Sequence, residues 1–363
     1  MGIKIPYCLL LATMSMAVNK NKIIIFSIII IFATAAFSVI LYQGLKPFLI
    51  SKNFNWPGAV IKIGKSARIL DGVYLSDGES EKYPVAVMID NKYEARPWSG
   101  LSYAGLVFEA PVEGGITRFL AVYSSSREIK KIGPVRSIRP YYLDWASGYG
   151  ALMAHIGGSP AALADIANNS GLKARNLDGY YLGNYFWRAN DRIAPHNAYT
   201  SSKLLDAART KFSGGKINFS PWKFKSDAFS SERGSNKEVG IDLSIYSAYD
   251  AVWEYDKEKN IYKRKIAGAY AHDDDNALIL AKNIAVLETD IEIIDAVSRR
   301  KISTIGSGNA LVFQDGKKTE GVWEKKSANE MLRFYDKNGK EIEFNRGTTW
   351  VEAVLSLDKV TEN

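Results

Sequence analysis

The chain of 363 residues contains a single cysteine, Cys8, and only three histidines. One cysteine excludes an intramolecular disulfide framework, a cysteine-rich zinc site and a C-x-x-C redox motif. It leaves the cellular compartment open, because a secreted protein can lack disulfides. The sequence also has no P-loop and no G-x-G-x-x-G motif, which excludes the common nucleotide-binding loops. We therefore expect neither a bound metal nor a cofactor.

Acidic residues are missing from the first 60 positions, which hold five lysines. This segment supplies +5 of the formal net charge of +8, so the other 303 residues carry only +3. A nucleic-acid-binding domain normally concentrates basic charge on its own surface, and we therefore expect no nucleic-acid partner. Hydrophobic residues make up 47% of the chain and charged residues 24%, which is typical of globular proteins. At about 150 residues per domain, the length predicts two folded domains.

One long hydrophobic run, residues 23–42, has no charged residue. At about 1.5 Å per residue, 20 helical residues span the roughly 30 Å of a bilayer core. Lys20 and Lys22 precede the run, which favours a cytoplasmic amino terminus. Residues 33–35 (Ala-Thr-Ala) resemble a signal-peptide cleavage site, but the apolar stretch continues to Leu41, which favours an uncleaved anchor. We predict a cytoplasmic tail (1–22), a single transmembrane anchor (23–42), a spacer (43–78) and an extracytoplasmic remainder.

Residues 79–215 combine strand and helix patterns and predict an α+β domain. Short apolar runs bounded by turn residues predict buried strands. Prolines at first helical positions and Ser or Thr caps predict helices. The predicted strands are 84–89, 105–109 and 116–123, and the predicted helices are 140–147, 160–169 and a third that starts at Thr200 or Ser201 and ends at Ala208.

Residues 218–363 have a different pattern, which predicts a mostly antiparallel β domain, a sandwich or an open barrel. Strand-length apolar runs alternate with turn sequences such as Asp315-Gly316 and Asn338-Gly339, which are typical of hairpins. The predicted hairpin strands are 252–255 with 261–264, 310–313 with 321–323, and 334–335 with 341–344.

Three arginines indicate an anion-binding site in the first domain. Arg136 and Arg139 lie just before the helix predicted at Pro140, where free N–H groups and guanidinium groups both favour a carboxylate or phosphate. Arg118 lies inside an apolar strand, where an unpaired charge is costly. The alternative is an internal salt bridge to Glu109, Glu113 or Asp144.

Two glutamates and one aspartate are further candidate site residues. Glu109 is predicted at the end of one strand and Glu113 in the turn that follows, and two carboxylates around a cleft are the minimum for glycoside hydrolysis. Asp90 follows the first strand and is a candidate ligand-binding residue. The alternative for Asp90 is a turn formed with Asn91.

Two histidines, His155 and His196, lie in turns that glycine or proline controls, where a polar site can be positioned. The alternative is that each imidazole bonds a nearby carbonyl and holds its turn. Residues 272–275 (His-Asp-Asp-Asp) resemble a metal-binding loop, but adjacent acidic residues on a loop are usually solvated, and we predict no metal site. Aromatic residues at 141–145 and 180–187 suit either a sugar- or peptide-binding surface or a core.

Several motifs in this order resemble the YerB-like family of bacterial envelope proteins, a two-domain family of unknown function. The matching motifs are residues 84–91, 95–97, 99–101, 112–119, 133–141, 155–159, 194–197, 253–256, 260–264, 306–308 and 347–350. The resemblance implies a membrane-tethered extracytoplasmic protein with a mixed first domain and a β-rich second domain. Members of the family are commonly lipoproteins that are anchored through a cysteine. Cys8 precedes the apolar run and follows no lipobox, so we expect the helix itself to be the anchor.

Two functions fit these residues. The favoured prediction is a binding module that holds a cell-wall glycan or peptide, or an envelope partner protein, through a cleft lined by arginine, histidine and glutamate. The alternative is a peptidoglycan glycan hydrolase that uses Glu109 and Glu113. We expect Arg136 or Arg139, one of the two histidines and one of the two glutamates to line a common cleft.

Overall fold

The computed structural model describes residues 55–56, 59–60, 66–213, 217 and 219–363. The predicted cytoplasmic tail, the transmembrane anchor and part of the spacer lie outside these residues. Among the residues described, no helix has both the length and the apolar character needed to cross a membrane. The described residues from 66 onward belong to one compact unit.

The α-helices of the described residues all fall in the first predicted block, which confirms the mixed character of that block. They are α1 (Pro140–Gly148), α2 (Pro160–Asn168), α3 (Ser170–Ala174) and α4 (Ser202–Phe212). The strands up to α4 are β1 (Asn55–Trp56), β2 (Ala59–Val60), β3 (Val85–Asp90), β4 (Leu106–Pro111), β5 (Thr117–Tyr123), β6 (Leu152–His155), β7 (Asn176–Asp178), β8 (Trp187–Arg188) and β9 (Ala198–Tyr199).

The rest of the chain is almost entirely β structure, as its turn sequences predict. Its strands are β10 (Phe224–Lys225), β11 (Glu238–Ile241), β12 (Ala251–Asp256), β13 (Ile261–Ile266), β14 (Ala269–Tyr270), β15 (Leu280–Ala281), β16 (Asn283–Glu288), β17 (Ile291–Ile293), β18 (Arg300–Ile302), β19 (Gly306–Gln314), β20 (Lys317–Lys325), β21 (Arg333–Asp336), β22 (Phe344–Asn345), β23 (Thr349–Val354) and β24 (Val360–Glu362). The hairpins β12–β13 and β19–β20 are antiparallel, with Asp315 and Gly316 at positive φ in the second turn. These two hairpin predictions are confirmed.

A ten-stranded sheet runs through both predicted blocks, in the order β21-β20-β19-β16-β23-β4-β5-β3-β6-β7. The blocks meet where β23 pairs in parallel with β4 and places Glu352 beside Glu109. The boundary predicted near residue 216 therefore separates two stretches of sequence that build one sheet. A parallel pairing between strands more than 200 residues apart has no local turn sequence that could reveal it.

Seven strands of this sheet point the same way, so their carboxyl ends share one edge; β20 is one of them, because β20 and β16 are both antiparallel to β19. Strand β6 is parallel to β3, β7 to β6, β23 to β4 and β16 to β23, while β5 is antiparallel to both β3 and β4. We call this side of the sheet the carboxyl edge. Loops and turns at such an edge are where polar side chains from different strands can meet.

Both faces of the large sheet are covered, which explains the continuous apolar runs of its central strands. On β3, Val85, Val87 and Ile89 enter one core, and Ala86 and Met88 enter the other. The first core also takes residues from α4 and from an antiparallel sheet with the order β14-β13-β12-β11-β24, in which β15 also pairs with β13. The second core takes the aromatic face of α1 together with residues of α2. The large sheet is thus the middle layer of the fold.

Candidate functional site

Three separate segments meet at the carboxyl edge where β3 ends. Asp90 is the last residue of β3 and lies opposite Arg118 of β5. The segment that carries Arg136 runs beside β3, with the Asp90 N–H donating to the Pro134 carbonyl. The segment that carries His196 pairs on the other side of it, where the Val135 N–H donates to the Ala198 carbonyl. Backbone pairing therefore brings together side chains that are distant in sequence.

Asp90 is the centre of this arrangement. Its Oδ2 atom lies 3.0 Å from Arg136 Nε and 2.7 Å from His196 Nδ1, and its Oδ1 atom accepts the Lys92 N–H at 3.1 Å. Burial alone would raise the pKa of Asp90, but Arg118, Arg136 and these hydrogen bonds outweigh it and hold the pKa below the usual value of an aspartate. The carboxylate is therefore ionised at neutral pH.

Arg118 is a buried cation with an incomplete set of partners. Only 2% of the residue is exposed. Its Nη1 atom donates to the Ser137 carbonyl at 2.7 Å, but Nε is buried and has no hydrogen-bond partner among the described residues. Burial, followed by repulsion from Arg139, lowers the pKa of Arg118, although an arginine keeps its charge in proteins. A buried guanidinium that lacks a partner is costly.

Arg139 and Glu113 form a bidentate ion pair beside Arg118. Arg139 Nε and Nη2 each lie 2.6 Å from one carboxylate oxygen of Glu113. Burial would raise the pKa of Glu113, but the hydrogen bonds and charge of Arg139 outweigh it, so that pKa is lowered. The internal salt bridge that we considered for these arginines thus forms between Arg139 and Glu113.

We call Asp90, Glu113, Arg118, Arg136, Arg139 and His196 the arginine cluster. Its three guanidinium groups face two carboxylates, so the guanidinium groups outnumber the carboxylates by one. The cluster is accessible, since the exposed fractions of the Arg136 and Glu113 side chains are 25% and 22%. Guanidinium groups in such a site favour a carboxylate or phosphate ligand.

Glu109 lies apart from this cluster and inside the core. It is fully buried, Arg264 Nη2 lies 2.6 Å from its Oε2 atom, and Thr117 Oγ1 and Asn91 Nδ2 donate to its other oxygen. A carboxylate in this position cannot reach a substrate. The expectation that Glu109 acts as a catalytic acid or base is therefore corrected: Glu109 is a structural partner of Arg264.

The sequence reasoning missed Arg264 and Glu352, which complete this buried triad. Arg264 Nη1 lies 3.1 Å from Glu352 Oε1, and Trp253 Nε1 donates to the same oxygen at 2.9 Å. The guanidinium lies over the Trp350 ring, 4.6 Å from its centroid. Burial, the largest influence, raises the pKa of Glu352 to about 7. The sequence signal for Glu352 was a charged residue inside an apolar strand. The sequence analysis considered that signal only for Arg118.

His155 also lies outside the arginine cluster. It is fully buried, with Nδ1 2.8 Å from the Gly157 carbonyl and Nε2 2.6 Å from Asn176 Oδ1. Burial lowers the pKa of this imidazole. Both ring nitrogens are used in holding the turn, so the prediction that His155 contacts a ligand is corrected in favour of the structural alternative.

The acidic loop at residues 272–275 holds the two halves of the fold together. Asp273 accepts the backbone N–H groups of Leu101 and Ser102, Asp274 accepts the Ser99 hydroxyl, and Asp275 accepts the Tyr103 hydroxyl. Burial raises the pKa of Asp273 to about 6. In the part of the chain that the structure describes, no group of three or more His, Cys, Asp or Glu residues is arranged to hold a metal ion.

The aromatic residues divide between a core and a rim. Tyr141, Tyr142 and Trp145 of α1 are buried. Tyr180, after β7, is 71% exposed, and Trp187 is partly exposed. The Tyr180 ring is linked to the segment of Arg136 through neighbouring residues: the Ile156 N–H donates to the Arg136 carbonyl, and Gly157 lies against the Tyr180 ring.

Comparisons with known proteins agree with this two-part organisation. The family described as "Protein of unknown function (DUF3048) N-terminal domain" matches residues 70–215, and its "C-terminal domain" matches residues 241–351. The "Putative lipoprotein YerB" of Bacillus subtilis (strain 168) is 35% identical over 293 residues, which are 80% of this chain and 86% of that protein. The crystal structure of the YerB protein from Bacillus subtilis superposes with a TM-score of 0.72 at 32% identity, covering 82% of this chain and 100% of that one.

These matches define a two-domain protein of the DUF3048 class. The chain belongs to the YerB-like family, and the resemblance inferred from its motifs is confirmed.

Proposed function

We propose that the protein works outside the cytoplasmic membrane, tethered to it, and binds an anionic group of a cell-wall polymer or of an envelope partner at the arginine cluster. The observation that carries this proposal is Arg118. It is a buried cation whose Nε lacks a partner among the described residues, and it lies in a cluster with one more guanidinium than carboxylates. An incoming carboxylate or phosphate would balance that charge.

The pairing within the cluster supports an exchangeable anion. Asp90 is shared between Arg136 and His196, so it cannot fully neutralise Arg118 as well. Arg136 is the accessible member of its pair, with 25% of its side chain exposed against 1% for Asp90, so its guanidinium is the group that a ligand can reach. The Nδ1 atom of His196 bonds Asp90. Its other ring nitrogen has no hydrogen-bond partner among the described residues, so it can face a ligand.

Two observations support the tether. The relative from Bacillus subtilis is named as a lipoprotein, and the uncharged run at residues 23–42 is long enough to cross a bilayer. An intact mature chain that retains residues 23–42 in mass spectrometry is expected. A chain that starts near Ala36 would replace the anchor with a cleaved signal peptide.

The alternative, a glycan hydrolase, loses support from the geometry. Glu109 is buried in an ion pair with Arg264, and Glu113 forms a bidentate ion pair with Arg139. Hydrolysis needs two carboxyl groups on either side of a bound sugar, and only Glu113 of this pair is accessible. Binding without hydrolysis is therefore the function that we propose.

The test uses the full chain in detergent and sedimentation with purified peptidoglycan. We expect Arg136→Gln to reduce the bound fraction severalfold while the protein stays folded, because Asp90 keeps its contacts with His196 and the Lys92 N–H. Arg299→Gln is the matched control, since Arg299 forms an exposed ion pair with Asp295 outside the cluster. Equal binding by the wild type and Arg136→Gln would overturn the proposal.

A further inference from the structure

A groove of about 360 Å³ is lined in part by Ile156 and Ala198, whose backbones bond to the segment that carries Arg136. Its lining includes Tyr180, Phe186 and Trp187 together with Arg188, whose guanidinium donates to Asn197 Oδ1 at 2.7 Å. This volume is within the range of small-molecule sites, which are mainly apolar with a few placed polar groups. The groove therefore has the size and the composition of a binding site.

The sequence builds the groove through close backbone approach. A Cβ atom on Gly157 would lie 2.6 Å from the Tyr180 ring, so only glycine allows that ring to rest there. Gly157 also has a φ of 62°, a conformation that favours glycine. Opposite it, β8 pairs with β9 so that Trp187 and Tyr199 are partners, and their ring centroids are 6.1 Å apart. Trp187 is thus held in place although it is partly exposed.

Backbone hydrogen bonds connect the lining of the groove to the segments that carry the arginine cluster. Ile156 lines the groove, and its N–H donates to the carbonyl of Arg136, while Ser137 Oγ donates to the Ile156 carbonyl at 3.0 Å. Ala198 also lines the groove, two residues after His196. A ligand of two linked rings could therefore contact the arginine cluster and the aromatic groove together.

We infer that the groove is a saccharide-binding subsite continuous with the arginine cluster, and that the ligand is an acidic saccharide with one carboxylate. An aromatic ring offers a flat apolar face to the C–H face of a pyranose, and the tyrosine hydroxyl and Arg188 can bond sugar hydroxyls. The single guanidinium group in excess of the carboxylates matches a monoanion better than a doubly charged phosphate. This inference rests on the proposed function and names its ligand class.

The test is calorimetric titration of the full chain in detergent with three probes. They are the disaccharide N-acetylglucosaminyl-N-acetylmuramic acid, which has a free carboxylate; the neutral disaccharide diacetylchitobiose; and lactate, an anion without a sugar ring. We expect the acidic disaccharide to bind at least about tenfold more tightly than either of the others. Trp187→Ala and, separately, Tyr180→Ala should each weaken its binding by about tenfold, and Trp187→Phe, which keeps an aromatic face, by less than about threefold.

The outcomes separate this inference from the proposed function. If lactate binds as tightly as the acidic disaccharide, and Trp187→Ala and Tyr180→Ala leave both affinities unchanged, the saccharide subsite is refuted while the anion site stands. If diacetylchitobiose binds equally well and Arg136→Gln has no effect on the acidic disaccharide, the anion site itself fails. Tyr180 is mostly exposed, so Tyr180→Ala tests the groove even if a change at Trp187 disturbs the fold.

Discussion

Replacing Arg264 by glutamine tests how the two halves of the protein are held together. Arg264 is fully buried between Glu109 of the first half and Glu352 of the second. Removing one partner of a buried ion pair costs about 3–5 kcal/mol, because the remaining charge is uncompensated. Arg264→Gln leaves two buried carboxylates, so its cost should lie at the upper end of that range. Glu109→Gln leaves Arg264 paired with Glu352 and should cost much less.

The pH dependence of this cost provides a sharper check. The folded pKa of Glu352 is raised to about 7, and without Arg264 it should rise further, because the favourable charge is lost. Protonating the two carboxylates relieves the buried charge, so Arg264→Gln should be less destabilising at pH 5 than at pH 8. We expect this difference in urea unfolding followed by tryptophan fluorescence, with Arg299→Gln as the exposed control at about 0–1 kcal/mol. A loss below about 1 kcal/mol at pH 8, or a loss independent of pH, would refute the reasoning.

Two further predictions concern the junction between the halves. The folded pKa of Asp273 is about 6, above its usual 3.8, so the folded state holds the extra proton between those values and stability falls as pH rises from about 4 to 6. Asp273→Asn should reduce this fall in melting temperature, and an unchanged fall would exclude Asp273 as its source. Residues 79–215 expressed alone should lack a cooperative melt in circular dichroism, because β4 loses β23 and Glu109 loses Arg264, and co-expression with residues 218–363 should restore it. A cooperative melt of the isolated fragment would show that the first block folds by itself.

Local patterns predicted much of the fold. The helix starts at Pro140 and Pro160 and the hairpin turn at Asp315-Gly316 are where the sequence signals place them. The helix predicted over 160–169 ends at Asn168, and Asn169 then caps α3 by accepting the N–H groups of Gly171 and Leu172. The shared sheet was out of reach, since the β4–β23 pairing depends on packing between distant segments and on no turn between them.

The candidate site was predicted in part, and for a physical reason. Charged groups are too costly to bury singly, so Arg136 or Arg139, one of the two histidines and Glu109 or Glu113 were expected to line a common cleft. The structure brings Arg136, Arg139, His196 and Glu113 together with Asp90 and Arg118. His155 was grouped with them because it also lies in a glycine-controlled turn. The sequence around His155 could not show that Asn176 would lie within hydrogen-bond distance of the second ring nitrogen. That contact leaves neither ring nitrogen available to a ligand.

The position of a charge along its strand separates the two buried polar clusters. Asp90 is the last residue of β3 and Arg118 the second of β5, so both reach the carboxyl edge. Glu109, Arg264 and Glu352 are each the fourth of six strand residues, and they meet in the core. Glu109 was taken for a site residue because its strand was predicted to end there, whereas β4 continues to Pro111. An error of two residues at a strand end thus changed a core ion pair into an apparent catalytic acid, which makes strand boundaries the decisive part of assigning charged residues to a site.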